Sequence, residues 1–283
     1  MEERNYFIDK ICITANILEE DLVTMKELFN GNGHYLHEYS YSDDKTIFSV
    51  VLFDHVNSYN EINSDFSGIY VRYNSFLESR KFRIEYNPSK LSKSQNVFLK
   101  ENILDHLYDK KFSRLDLAFD TSEKLLDCRL FHNFKKVKSI EEYDRLIYKF
   151  MGADSSHKNI CIYEKSEEVQ RLEFRFRHDY AARFLNDELD PFKNFEIRKD
   201  FITEELSGDY YCRVKTIIDE PKIINQFSRN TRTKIRRLLK SLKCTDLTPF
   251  FKQMWQQKKS QILKELNDLI EKNDKQEISV CKR

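Results

Sequence analysis

Glycine and proline are scarce, with 5 and 4 among 283 residues. That excludes a glycine-rich barrel or a low-complexity tail and points to long regular elements joined by Asn, Asp and Ser turns. No apolar run approaches the roughly 18 residues a membrane-spanning helix needs. Met1–Asn5 carries Glu2 and Glu3 and lacks the basic start of a secretory signal. The chain is therefore expected to be soluble and cytoplasmic, with no membrane partner. The six cysteines (Cys12, Cys128, Cys161, Cys212, Cys244, Cys281) stand singly without a CxxC pair, which excludes a zinc ribbon or an encoded disulfide framework. GxxxxGK[ST], GxGxxG and GxSxG are all missing, so neither a P-loop ATPase, a dinucleotide enzyme nor a serine hydrolase is encoded. The His-hydrophobe-His triplet that a large class of nicking enzymes uses is missing too.

What is present is a sizeable core, with 40% hydrophobic residues, 22 Phe and 15 Tyr. The net charge of +1 conceals a segregation. Residues 221–283 hold 16 Lys and Arg against 6 Asp and Glu, while residues 1–220 hold 32 against 41. A basic C-terminal segment on an acidic body suggests that the tail meets a polyanion.

Strands are expected at Phe7–Thr14, Lys45–Phe53, Gly68–Asn74 and residues 80–86, the last stopped by Asn87-Pro88. Arg114–Asp120 and Arg171–Arg177 alternate cleanly, each with one apolar and one ionic face, and Asn159–Lys165 is a shorter strand between them. Helices are expected at Glu19–Phe29, ending at Gly31-Asn32-Gly33, and at Ile140–Phe150. Residues 193–219 are ambiguous. Ser228 or Asn230 can cap a basic amphipathic helix at Arg232–Lys243, and Thr248-Pro249 opens another to Glu271. The fold class is α+β: a largely antiparallel sheet with helices on one face, then a basic helical C-terminal region. Residues 1–218 form the body and 219–283 the basic region.

Asp116 and Glu173 each follow an arginine by two residues on a polar strand face. If the strands are neighbours, the two carboxylates converge, and such oxygen donors suit Mg²⁺ or Mn²⁺ at a phosphodiester. The same spacing also fits a structural ladder of arginine–carboxylate pairs. His34 and His37 form an HxxH within the Gly31–Tyr39 turn, without an obvious third ligand. In the C-terminal segment Arg229, Arg232, Arg236 and Lys240 line one helical stripe, with Lys234 and Arg237 beside it. Ile235, Leu238, Leu239 and Leu242 line another. That combination fits phosphate contact plus packing, and a solvated basic face would look the same.

Together the segments Ile8-Asp9, Arg114–Asp120, Gly152–Ser156, Ile162–Lys165 and Arg171–Arg175 resemble the rolling-circle replication initiators of plasmids from low-GC bacteria. These are the Rep trans family of topoisomerase-like initiators, and the likeness covers roughly residues 7–190. It implies recognition of a plasmid double-strand origin and cleavage of one strand by a tyrosine. The tyrosine keeps the 5′ phosphate and leaves a 3′ hydroxyl for host polymerase. It also implies a divalent metal, Mg or Mn, on acidic residues, to which Asp116 and Glu173 correspond, and a host helicase as partner. Such initiators often act in pairs, so a homodimer is left open, and nothing in the sequence fixes it. The family's tyrosine falls about ten residues past the glutamate, where this chain has Arg183. Tyr180, seven past, is the candidate one helical turn away, with Tyr210 and Tyr211 in reserve and Tyr163 assigned to the sheet. The displacement keeps a second reading open, a non-catalytic DNA-binding initiator or regulator on a degenerate version of the fold.

Overall fold

The computed structural model describes residues 6–271 except 43–44, 57, 60–61, 63–65, 144, 205 and 220. Glu2, Glu3 and Cys281 lie outside the described residues. The strands are β1 (Tyr6–Ile17), β2 (Gly33–Ser42), β3 (Lys45–Leu52), β4 (Ile69–Asn74), β5 (Phe82–Tyr86), β6 (Leu107–Thr121), β7 (Arg129–His132), β8 (Val137–Glu142), β9 (Arg145–Met151), β10 (Lys158–Glu164), β11 (Gln170–Arg177), β12 (Phe195–Lys199) and β13 (Thr245–Asp246). The helices are α1 (Glu19–Asn32), α2 (Lys93–Asn102), α3 (Asp179–Leu185), α4 (Gly208–Asp219), α5 (Arg229–Ser241) and α6 (Thr248–Ile270).

Among the described residues, ten strands form one sheet in the order β2-β3-β4-β5-β1-β6-β11-β10-β9-β8. The pairings are antiparallel throughout. The period-two patterns of β6 and β11 dictate the layering. Leu115, Leu117 and Phe119 join Leu172, Phe174 and Phe176 in the main core, while Asp116, Glu173 and Arg175 face the other way. Against the apolar face pack α1 through Met25 and Phe29, α3 through Ala181 and Phe184, and α6 through Phe251, Trp255, Ile262 and Leu266. Aromatic stacking ties this layer together, with Phe184 at 4.9 Å from Phe176 and 5.3 Å from Trp255.

The C-terminal region is shared between two cores. While α6 packs into the body, α5 lays Ile235 and Leu239 against Val214 and Ile217 of α4 and Phe131 of β7. Ser228 caps α5 as expected, its hydroxyl accepting from the Thr231 amide at 3.3 Å. β7, β12 and β13 form a separate three-stranded sheet beneath this cluster.

Two expectations are corrected. Ile140–Phe150 is not a helix but most of the β8–β9 hairpin, in which Ile140 pairs with Tyr148. The alternation in Arg145-Leu-Ile-Tyr-Lys-Phe carries the strand, and Tyr143 turns the chain at φ 48°. His34 and His37 lie in strand β2 rather than in a turn, because α1 continues through Gly31 and β2 begins at Gly33. His37 meets the Ser49 hydroxyl at 2.9 Å, and the His34 ring lies 4.5 Å from that of His55, tilted by 51°. Cys12, Cys128, Cys161, Cys212 and Cys244 are free. No described helix is long and apolar enough to cross a membrane.

Candidate functional site: an ionic sheet face and a basic helix-side cavity

The open face of the sheet is ionic across β5, β1, β6, β11 and β10. Arg175 of β11 pairs in register with Asp116 of β6, so the two expected carboxylates do share one face on adjoining strands. Each is only 1% exposed. Arg114 grips Asp116 through Nε at 2.9 and 3.0 Å and Nη2 at 2.5 Å. Arg175 lies between the two carboxylates, bonded to Glu173 and 3.8 Å from Asp116. The Tyr163 hydroxyl donates to Glu173 at 3.0 Å.

A third carboxylate joins them. Ile8 packs toward the core, yet both Asp9 and Lys10 bond on the ionic side, because a register shift between Ile8 and Lys10 bulges the strand. Arg171 donates to Asp9 at 2.7 Å and to Asp120 at 2.6 and 2.9 Å. Asn87 also donates to Asp9, at 3.2 Å. Asp120 is further held by Lys165 at 2.6 Å, so it serves as a structural partner here. Burial, reinforced by the charges of Asp116 and Asp9 and only partly offset by Arg175, pushes the Glu173 carboxyl above its usual range. Glu85 is the contrast: burial would raise it, but Lys10 and Arg83 outweigh that and hold it down at about 2.

These donors fit a hard divalent cation in chemistry, being carboxylate oxygens whose mutual repulsion a cation would relieve. As arranged, the guanidinium groups of Arg114 and Arg175 supply that relief. Among the described residues no three of His, Cys, Asp or Glu converge on one point.

Tyr180 lies elsewhere. β11 ends at Arg177, and His178 turns the chain into α3 with φ 52° and ψ −131°, a backbone that costs a non-glycine residue roughly 1–3 kcal/mol. His178 is held there by its amide bond to Ser113 O at 3.0 Å. The Tyr180 ring packs toward the helix-covered core, edge-on to His157 at 5.5 Å and under the Arg183 guanidinium at 5.2 Å. It lines a cavity with Lys158, Phe176 and Lys193, and its hydroxyl makes no hydrogen bond to a described residue. The tyrosine and the paired carboxylates thus belong to opposite sides of β11 and are not brought into contact. Tyr210 is exposed on α4 and Tyr211 lies beside Lys215. Tyr163 is in strand β10, where burial and the Glu173 charge keep its phenol protonated.

On α5 the basic residues sit as the periodicity predicted. Arg229, Lys234, Arg236, Arg237 and Lys240 are exposed and Arg232 is half-buried. None forms an ion pair with a described carboxylate. Lys240 lies over the Phe131 ring at 5.5 Å. Below Arg236, Arg129 and His132 of β7 and Lys149 of β9 line a second cavity. Sequence reading missed these three basic residues. They lie on short or misassigned segments, and only the tertiary meeting of β7, β9 and α5 gathers them.

No family model matches the chain. It is similar to curated proteins from Staphylococcus aureus, each named a replication initiation protein. One is 30% identical over 220 aligned positions, covering 70% of this chain and 68% of the relative. Another is 30% identical over 219 positions with the same coverage, and a third is 28% identical over 220. By this identity across two thirds of a relative's length, the chain belongs to the family of replication initiation proteins.

Proposed function

We propose that this protein initiates plasmid rolling-circle replication in the manner of the Rep trans initiators, binding the double-strand origin and nicking one strand through Tyr180. The observation that supports this most is the placement of a tyrosine, its hydroxyl unbonded among the described residues, at the head of the helix that leaves the Glu173 strand, beside cations suited to a phosphate. In the nick, the Tyr180 oxygen attacks phosphorus and forms a phosphotyrosyl bond as the bond to the 3′ oxygen breaks. The phenolic proton passes to His157 or water, and the leaving 3′ oxygen takes up a proton to become the primer hydroxyl. Arg183 and Lys158 neutralise charge that grows on the phosphoryl oxygens. The phosphotyrosyl bond conserves the energy for rejoining, so no nucleotide is consumed. By the family resemblance Asp116 and Glu173 are the residues that would hold Mg²⁺ or Mn²⁺; paired with Arg114 and Arg175 on the side of β11 away from Tyr180, they contribute no step to this bond exchange.

A second reading has its own support. The pairing of Asp116 and Glu173 with arginines, and the separation of Tyr180 from both, favour a DNA-binding initiator that recruits host proteins without cutting.

A denaturing gel separates the two readings. The substrate is supercoiled plasmid carrying the protein's own origin, with Mn²⁺ or Mg²⁺, and wild type runs beside Tyr180→Phe and Glu173→Gln. Nicking predicts a protein–DNA adduct with wild type that disappears in Tyr180→Phe. A metal held by Glu173 also predicts loss of cleavage in Glu173→Gln with DNA affinity retained. An adduct surviving in Tyr180→Phe moves the nucleophile to Tyr210 or Tyr211. Tight binding with no nick by wild type establishes the non-catalytic reading.

A further inference from the structure

Two cavities lie on the helix-covered side of the sheet. One, of about 510 Å³, surrounds Tyr180; the other, of about 710 Å³, lies where β7, β9, β12 and α5 meet. Asn133, Phe134 and Asn194 line both, so the two join into one trough leading from Tyr180 to the basic face of α5.

Its charge is one-sided. Lys158, Arg183 and Lys193 line the tyrosine end, and Arg129, Lys149, Arg236 and Lys240 the other. Two lining carboxylates, Asp190 and Glu196, oppose these seven cations; Glu196 is already tied to Arg198 at 2.8 Å, and of the seven Arg183 has a carboxylate outside the lining, Glu188 at 3.5 Å. The deepest cations bond to backbone carbonyls instead of carboxylates: Lys149 to Leu126 O at 2.6 Å, Lys158 to Pro191 O at 2.5 Å, and Arg129 to Ile217 O at 3.5 Å. A carbonyl accepts a proton's bond but does not neutralise the charge. Burial pushes Lys158 down to about 8, with only Asp190 acting against it. Arg129 and His132 are lowered by burial and by Arg236. Half-buried like charges gathered this way are costly in the free protein and are relieved by an anionic ligand.

The shape selects among anions. The trough has cations at both ends and a half-buried aromatic ring, Phe134, at its waist beside His132 at 5.7 Å. A strand needs that alternation, with phosphates on cations and a base on an aromatic face. Cavities of this size accept a ligand of a few nucleotides rather than the flank of a duplex.

We propose that this trough binds one strand of DNA, led from the nucleophile at Tyr180 past Phe134 to Arg236 and Lys240. The inference rests on the reading that the protein acts on origin DNA, and it makes the basic helix and the tyrosine two ends of a single track.

The test uses the full chain and a fluorescein-labelled 20-residue oligothymidylate, with Kd measured against salt concentration by anisotropy. Arg183→Gln/Lys193→Gln and Arg236→Gln/Lys240→Gln are compared with wild type after circular dichroism confirms folding. Each pair should weaken binding about tenfold or more and lower the salt slope by about 0.7 for each phosphate no longer neutralised. A 5-iodouracil oligonucleotide, photocrosslinked to wild type and mapped by mass spectrometry, should mark Phe134 or Tyr180 whatever the variants do. The trough is overturned if the Arg183/Lys193 pair leaves Kd and slope unchanged while the α5 pair weakens both, or if crosslinks map only to the open sheet face; origin binding would survive either result. Wild type that binds no DNA at all would overturn the trough and the reading beneath it together.

Discussion

The two sides of β11 solve the burial of charge in opposite ways. On the open face, burial would lower the arginines, yet the groups beside Arg83, Arg114, Arg171 and Arg175 more than reverse it, and all four are raised. In the helix-side trough, Arg129, His132, Lys149 and Lys158 are all lowered, because burial acts on them with too little opposing charge. The first set is saturated from within and holds strands together. The second is unsaturated and fits a ligand that brings its own charge. Arg177 marks the border. It is the last residue of β11 on the ionic side, but burial and Arg114 lower it, and its partner is the backbone carbonyl of Asp154. Electrostatically it belongs with the tyrosine end of the trough.

The largest effect should come from desaturating the open face. Arg171 is 3% exposed and joins Asp9 of β1 to Asp120 of β6, so Arg171→Leu leaves two carboxylates without their main partner. Removing one member of a buried ion pair costs roughly 3–5 kcal/mol, to be read as a lower midpoint in urea denaturation with unchanged m-value. Arg171→Lys should recover part of it, since one ammonium replaces a fork that reaches both carboxylates. A loss below about 1 kcal/mol would mean that the face is not the structural lattice its pairings describe.

Much of this was legible in the sequence. Period-two alternation at Arg114–Asp120 and Arg171–Arg177 located both central strands and the shared face of Asp116 and Glu173, and spacing located the stripe on α5. What was illegible depended on register and on distant packing. Asp9 joins the ionic face only through a bulge, which no alternation rule anticipates. The β8–β9 hairpin was hidden because Glu141-Glu142-Tyr143-Asp144 reads like a helical first turn. The position of Tyr180 relative to the carboxylates was out of reach, since it is set by the backbone at His178, where an L residue takes a positive φ. The trough has no local signature, because its cations come from six separate elements and loops.

A smaller effect sharpens the comparison from the other side. Arg232→Gln/Arg236→Gln/Arg237→Gln removes exposed or half-buried charges with no described carboxylate partner, so stability should change by no more than about 0.5 kcal/mol. Affinity for origin duplex should nevertheless fall at least about tenfold at physiological salt, with the log–log salt slope reduced by about 0.9 for each phosphate left without its cation. An unchanged slope would move the duplex-binding surface off α5.

The smallest and most discriminating effect is a pH dependence. Lys158 is held at about 8 in the folded chain against 10.5 when unperturbed. Between those values the unfolded chain binds more protons than the folded one, so the lysine's contribution to stability rises with pH across the window. The rise is at most about 1.4 kcal/mol for each pH unit. Other lysines and the tyrosines titrate nearby, so the quantity to measure is the difference between wild type and Lys158→Met, from urea midpoints between pH 7.5 and 10. The difference should narrow or reverse in favour of wild type as pH increases. Oligonucleotide affinity should move the other way: it weakens in wild type as Lys158 loses its proton above about pH 8, and stays flatter in the variant. Opposite pH trends for folding and for binding are what an unsaturated cation produces. A lysine saturated like those of the open face would be stabilising at neutral pH, and its loss would weaken folding there without touching the strand.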